Sequence, residues 1–196
     1  MTWSSTAWTC RRSTPITQSC GALRRTTLGS PTRKTGIALA VKTGWPYADN
    51  DSLLVRSTGQ TAKALLERDG EQGLHAAEAN VLTLQLGLPA PVILGISGGA
   101  VLTASTRERL RTAGHVVWLK ATPAVIARRV GNGAGRPLVG QPGQPGDTAA
   151  ILARLAAERD AFYAEIAGQV VDVDVVTPAA AAAAVLDALG PVTTPG

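Results

Sequence analysis

The sequence predicts an α/β protein: a three-layer sandwich around a mainly parallel sheet of about five strands. Three observations predict it. Residues 92–96 (VILGI) and 116–119 (VVWL) are continuous apolar runs, the pattern of strands buried on both faces. Such runs alternate along the chain with segments of helical period. Hydrophobic residues make up 45% of the 196 residues and aromatics only 4%, so the chain can bury a core, and that core is aliphatic and Ala-rich.

The elements follow in order. Residues 36–42 read as a short helix stopped at Thr43 and Gly44, and 45–48 as a brief strand running into Asp49, Asn50 and Asp51. Residues 61–69 read as a helix ending at Gly70. A second helix covers 71–86, with Leu74, Ala77, Val81 and Leu84 on one face. The strand 92–96 ends in Ser97, Gly98 and Gly99. A polar helix capped by Ser105 covers 105–113, the next buried strand 116–119, and a further helix 123–130. Residues 131–146 (GNGAGRPLVGQPGQPG) hold six Gly and three Pro and are expected to form a loop. Asp147 caps a long helix to 167, 170–173 is the last strand, and 178–189 is a closing helix. The expected organisation is an atypical, disordered leader over 1–28, one folded domain over 29–190 with 131–146 as a lid, and a tail over 191–196.

Charge narrows the function. The formal net charge is +5, but residues 1–34 carry Arg11, Arg12, Arg24, Arg25, Arg33 and Lys34 and no acid. The remainder holds 13 basic and 14 acidic residues, so the folded part offers no basic footprint for nucleic acid. Cys10 and Cys20 both lie in the leader and make no zinc site; they read as reduced thiols of a cytosolic protein. No apolar run approaches a membrane span. The leader is rich in Ser, Thr, Arg, Trp and Cys, which suits GC-rich DNA read out of frame; a transit peptide and a basic arm are the other readings.

Several residues stand where α/β sheets bind ligands, at the carboxyl ends of strands. Asp49 and Asp51 are two apart and in extended geometry would share a face; one carboxylate could steady Mg²⁺ and the other accept a hydroxyl proton, or both could cap a turn. Gly98 and Gly99 allow close backbone approach to a substrate, or simply a tight turn. Arg159 falls on the apolar stripe of Leu155, Phe162 and Ile166, so its guanidinium needs a buried partner: a bound carboxylate or phosphate, or a salt bridge to Asp51 or Glu78. Arg136 in the Gly/Pro loop suits a lid closing on a phosphoryl group, or a solvated loop. His115 opens a strand and reads as structural. The stretch 29–36 (GSPTRKTG) resembles the phosphate loop G-x-x-x-x-G-K-[ST], whose amides and Lys cradle phosphates and whose hydroxyl holds Mg²⁺. It is altered: Gly29 sits one residue too close to Lys34 and Thr35, and Arg33 replaces the second Gly.

Taken together, these residues resemble the shikimate kinase family of P-loop small-molecule kinases over residues 34–189. The resemblance rests on the order K-T, D-N-D, D-G-E-Q-G-L-H-A-A-E, S-G-G-A-V, H-V-V-W-L, R-R-V-G-N-G-A-G-R-P-L, E-R-D-A-F-Y and V-V-D-V-D. It implies a P-loop kinase fold and ATP- and Mg²⁺-dependent phosphoryl transfer to a small hydroxylated acid, in a cytoplasmic monomer that binds neither nucleic acid nor membrane. It implies Gly29, Lys34, Thr35, Arg129 and Arg136 for ATP, Thr35 and Asp49 for the metal, and Asp51, His75, Gly98, Gly99 and Arg159 for the acceptor. Asp51, Lys34 and Arg136 would be catalytic. The chain departs from the family pattern at Arg33, at His75 and Leu74 where an Arg and a Phe are usual, at Ser97 for a Gly and at Val176 for an Arg. A gluconate-kinase-like acceptor and a folded remnant with an impaired nucleotide site are the alternatives. The strand before the phosphate loop should be central and apolar, and residues 20–28 (CGALRRTTL) are neither.

Overall fold

The computed structural model describes residues 5–11, 31–130 and 148–190. The elements are β1 (Ser5–Arg11), α1 (Pro31–Thr43), β2 (Tyr47–Asp49), α2 (Asn50–Thr58), α3 (Ala62–Leu86) and β3 (Val92–Gly95). A 3-10 turn (Ala100–Leu102) then leads to α4 (Ala104–Ala113), β4 (Val117–Lys120), α5 (Pro123–Val130), α6 (Thr148–Ile166), β5 (Gln169–Asp172) and α7 (Pro178–Leu189). Gly29, Arg136, the 131–146 loop and the 191–196 tail lie outside the described residues.

The sheet runs β2-β3-β1-β4-β5. β2 pairs parallel with β3 and β4 parallel with β5, while β1 is antiparallel to both β3 and β4. Four strands therefore point one way and the middle one points back. This corrects the reading of the leader as lacking regular structure throughout: Ser5–Arg11 fills the central slot that residues 20–28 looked too polar to occupy. The facing edges of β3 and β4 each present backbone donors and acceptors that must be paired, and a segment of Thr, Trp and Cys suits that position.

Alternation along the inner strands divides the core. Ile93, Val117 and Leu119 face one side with Leu39 of α1 and Ala181, Ala182 and Val185 of α7. Val92, Leu94, Val116 and Trp118 face the other with Leu82, Leu110, Tyr163 and Ile166. Both faces are covered, so β3 is apolar at every buried position, whereas the edge strand β5 leaves Val170 51% exposed. Smaller clusters join α2 to α3 through Leu54, Leu65, Leu74 and Val81, and α5 to α6 through Ile126, Leu152 and Leu155.

Boundaries shift from the sequence reading. α1 begins at Pro31, where a fixed φ and a missing N–H suit the first helical position. The helix after Asp49 was not expected; it ends in Gly59 at φ 71°. The cap of α4 is Thr103 rather than Ser105. The break at Gly70 holds: its φ of 69° and ψ of −170° divide α3 into two helices.

That conformation is open only to glycine, and an added Cβ would meet nothing within 4 Å. Gly70→Ala is therefore expected to destabilise the fold by conformational strain alone, by roughly 1–3 kcal/mol, read in urea unfolding; an unchanged midpoint would contradict this. His115 gives a pH test. Burial holds its pKa below the ordinary value, partly offset by Gln169, whose Oε1 lies 3.5 Å from Nε2. The unfolded chain takes up this proton first, so the contribution is fully present above about pH 6.5 and is lost as pH falls toward the folded pKa. His115→Gln should flatten the loss of Tm between about pH 7.5 and 5; a profile identical to the parent's would exclude the residue.

Candidate active site

The site grows from the carboxyl ends of β2 and β3. Asp49 stands opposite Gly95 in the parallel register. Fully buried Gln85 locks that pairing: its Nε2 donates to Ala48 O at 3.2 Å and to Gly95 O at 3.0 Å. The sequence reading missed Gln85. The signal was a polar residue four after Val81 on an inward helical stripe.

Asp49 caps α2. Its Oδ1 accepts from the Asp51 amide at 2.9 Å, and its carboxylate is 6% exposed. The chain turns into a helix here, so the two acids do not share the face of an extended strand as expected. Asp51 instead occupies the second helical position, half-buried, where the helix N-terminus favours its negative charge. Arg33, itself 39% exposed, reaches back from α1 to place Nε 3.9 Å from Asp49 Oδ2. Lys34 beside it is exposed and Thr35 is buried.

Beyond Gly95 the chain passes through buried Ser97, Gly98 and Gly99. The Tyr163 hydroxyl donates to Gly98 O at 3.1 Å, and the ring stacks on Trp118 with centroids 5.6 Å apart. Gly99 shares a cleft of ≈ 60 Å³ with His75, Glu78, Leu82 and Thr103. Thus the structure joins His75 to the glycine turn, with Glu78 buried one turn along the same helix. Arg159 sits four residues before Tyr163 on α6, which puts it on the same helical face. The residue is 2% exposed; among the described residues Nε and Nη1 make no hydrogen bond, and Glu158 Oε2 lies 3.9 Å from Nε. The expected alternative of a salt bridge to Asp51 or Glu78 is not among the ion pairs of the described residues.

Arg129 stands apart. It lies at the β5 end of the sheet, where Nη2 donates to Val173 O at 2.6 Å and Asp174 O at 3.2 Å. Asp49 is at the β2 edge, so the structure sets Arg129 at the opposite edge of the sheet from Asp49.

The donors suit Mg²⁺ in kind, since that ion is held by one or two carboxylates plus substrate phosphates. Asp49 fits by chemistry and by its strand-end position. Among the described residues no group of three or more His, Cys, Asp and Glu comes together, so most ligands would come from nucleotide and water.

An acid and a glycine turn at parallel strand ends, with a buried arginine on α6, suit a small-molecule kinase of the P-loop α/β class, the fold of its structural neighbours. The family model described as shikimate kinase matches residues 30–190, and the chain belongs to the shikimate kinase family. It is 39% identical to the shikimate kinase of Oleidesulfovibrio alaskensis over 152 residues, 76% of this chain and 84% of that one. It is 33% identical to that of Thiobacillus denitrificans over 145 residues, 74% and 76% of the two chains. The solved shikimate kinase from Acinetobacter baumannii in complex with shikimate superimposes with a TM-score of 0.74 at 28% identity, covering 80% of this chain and 85% of that one.

Arg33, 3.9 Å from Asp49 Oδ2, would compete with a metal bound there. Arg33→Gly is expected to tighten Mg²⁺-dependent ATP binding about two- to fivefold, the weight of a half-exposed ion pair, when titrated with and without a chelator. Equal metal dependence in parent and variant would contradict the competition.

Proposed function

We propose that this protein transfers the terminal phosphoryl group of ATP to a hydroxyl of shikimate. The single observation that carries the reading is Arg159: a guanidinium buried on α6 next to the residue that holds Gly98, with two nitrogens making no hydrogen bond among the described residues. A guanidinium in that state calls for a planar anion, and a carboxylate matches its fork. Shikimate offers one, together with hydroxyls that Asp51 can orient.

The roles follow from placement. Arg159 grips the carboxylate, and Gly98 and Gly99 bring backbone against the ring. His75 and Glu78 close the cleft at the end of the glycine turn. Asp51 accepts a hydrogen bond from the attacking hydroxyl and takes its proton. Lys34, exposed on α1, supplies positive charge for the phosphates, with Arg136 as the lid arginine and Gly29 in the phosphate loop. Arg129 serves the adenine side. Mg²⁺, when bound with the nucleotide at Asp49 and Thr35, would neutralise the phosphate charge. The reaction needs no second copy, nucleic acid or lipid, and its ATP supply argues for the cytoplasm. No helix among the described residues is long and apolar enough to cross a membrane.

The relatives do not favour a gluconate-type acceptor. A second reading, a folded protein with an impaired nucleotide site, rests on Arg33 standing against Asp49.

A coupled ADP-release assay with shikimate and with gluconate tests the proposal. Turnover is expected with shikimate, and Arg159→Ala should raise its KM about 10- to 150-fold, the worth of one buried charge-assisted contact. Undiminished shikimate turnover in a folded Arg159→Ala variant would sink the assignment. No turnover by the folded parent chain would favour the second reading.

A further inference from the structure

Arg107 is the fourth residue of α4, where the helix N-terminus disfavours a cation, so the helix alone gives no reason for it. Its side chain is 12% exposed and reaches three places. Nη1 donates to Val101 O at 2.8 Å and approaches Leu102 O at 3.4 Å, both in the 3-10 turn that follows Gly99. Nε lies 2.9 Å from Glu165 Oε2 of α6, an ion pair in contact though not aligned as a hydrogen bond. The guanidinium carbon stands 4.3 Å over the Phe162 ring, also on α6.

Tyr163 lies between Phe162 and Glu165 and holds Gly98 O. The glycine turn is therefore fastened at both ends: at Gly98 directly by α6, and at Val101 and Leu102 by an arginine that α6 in turn holds by charge and by ring stacking. Arg159 is one turn earlier on the same helix. We propose that Arg107 is a positioning residue: it sets the separation between the glycine turn and α6, and so the gap in which Arg159 meets a small carboxylate. The effect on substrate rests on the acceptor-site reading above; the clamp itself does not. A lysine cannot replace it, because one ammonium lacks the planar fork that reaches two carbonyls while lying flat on Phe162.

The test uses the full chain with Arg107→Lys and, as a milder lesion at an exposed carboxylate, Glu165→Gln. Hydrogen exchange reads the clamp. The amides of Ala100 and Leu102, which bond to Ser97 O and Gly99 O, should exchange faster in both variants, while β4 and α7 keep their protection. Calorimetry reads the consequence. Arg107→Lys should weaken shikimate binding roughly tenfold and leave ATP binding within about twofold, with Glu165→Gln smaller in the same direction. Unchanged exchange at Ala100 and Leu102 overturns the clamp. Equal losses for shikimate and ATP overturn the positioning role and indicate a general structural one. If the parent chain binds no shikimate, the acceptor assignment fails, and the exchange data still decide whether the clamp exists.

Discussion

Removing a guanidinium from water costs several kcal/mol unless an anion or a set of carbonyls compensates it. Arg159 is buried to 2% exposure, and the described residues leave two of its nitrogens without hydrogen bonds. The surroundings are arranged to keep it there. Leu155 anchors the preceding turn of α6, Tyr163 is pinned between Gly98 O and Trp118, and Phe162 and Glu165 are held by Arg107. Each contact resists the rotation or shift of α6 that would let the guanidinium reach solvent. On the proposed function, this unmet demand for a counter-charge would favour an acid as the acceptor.

The sheet supplies the second constraint. Gln85 clamps the ends of β2 and β3, so Asp49 and the chain toward Gly98 leave from neighbouring points in the register. Asp51 then follows from the turn into α2, and Gly99 from the turn into α4. This end of the sheet is thus built by hydrogen bonds between elements far apart in sequence. On the proposed reading the nucleotide would lie along α1, where Arg33 is turned toward Asp49, with Nε 3.9 Å from Oδ2. Departures from the family pattern fall in both the nucleotide half and the acceptor half of that reading, at Arg33 and Val176 in the first and at Leu74, His75 and Ser97 in the second.

How much of this the sequence revealed depended on the range of the interactions. The apolar runs of β3 and β4 and the break at Gly70 are local and were legible. So was the inward-facing Arg159, because the stripe of Leu155, Phe162 and Ile166 places it by period alone. The helix after Asp49 was hidden because its first turn, Asn50, Asp51 and Ser52, reads equally as a loop. The central strand was missed because the leader carries no apolar period, and its place in the sheet is set by the open edges of β3 and β4. Gln85 and Arg107 were invisible for a related reason: each matters through carbonyls contributed by other segments, which no local pattern announces.

The most direct measurement is a crystal structure of the full chain grown with shikimate. The account predicts the carboxylate on the Arg159 guanidinium, the ring against Gly98 and Gly99, and a hydroxyl within hydrogen-bond reach of Asp51. Shikimate bound elsewhere, with Arg159 paired instead to a carboxylate of the protein, would contradict it.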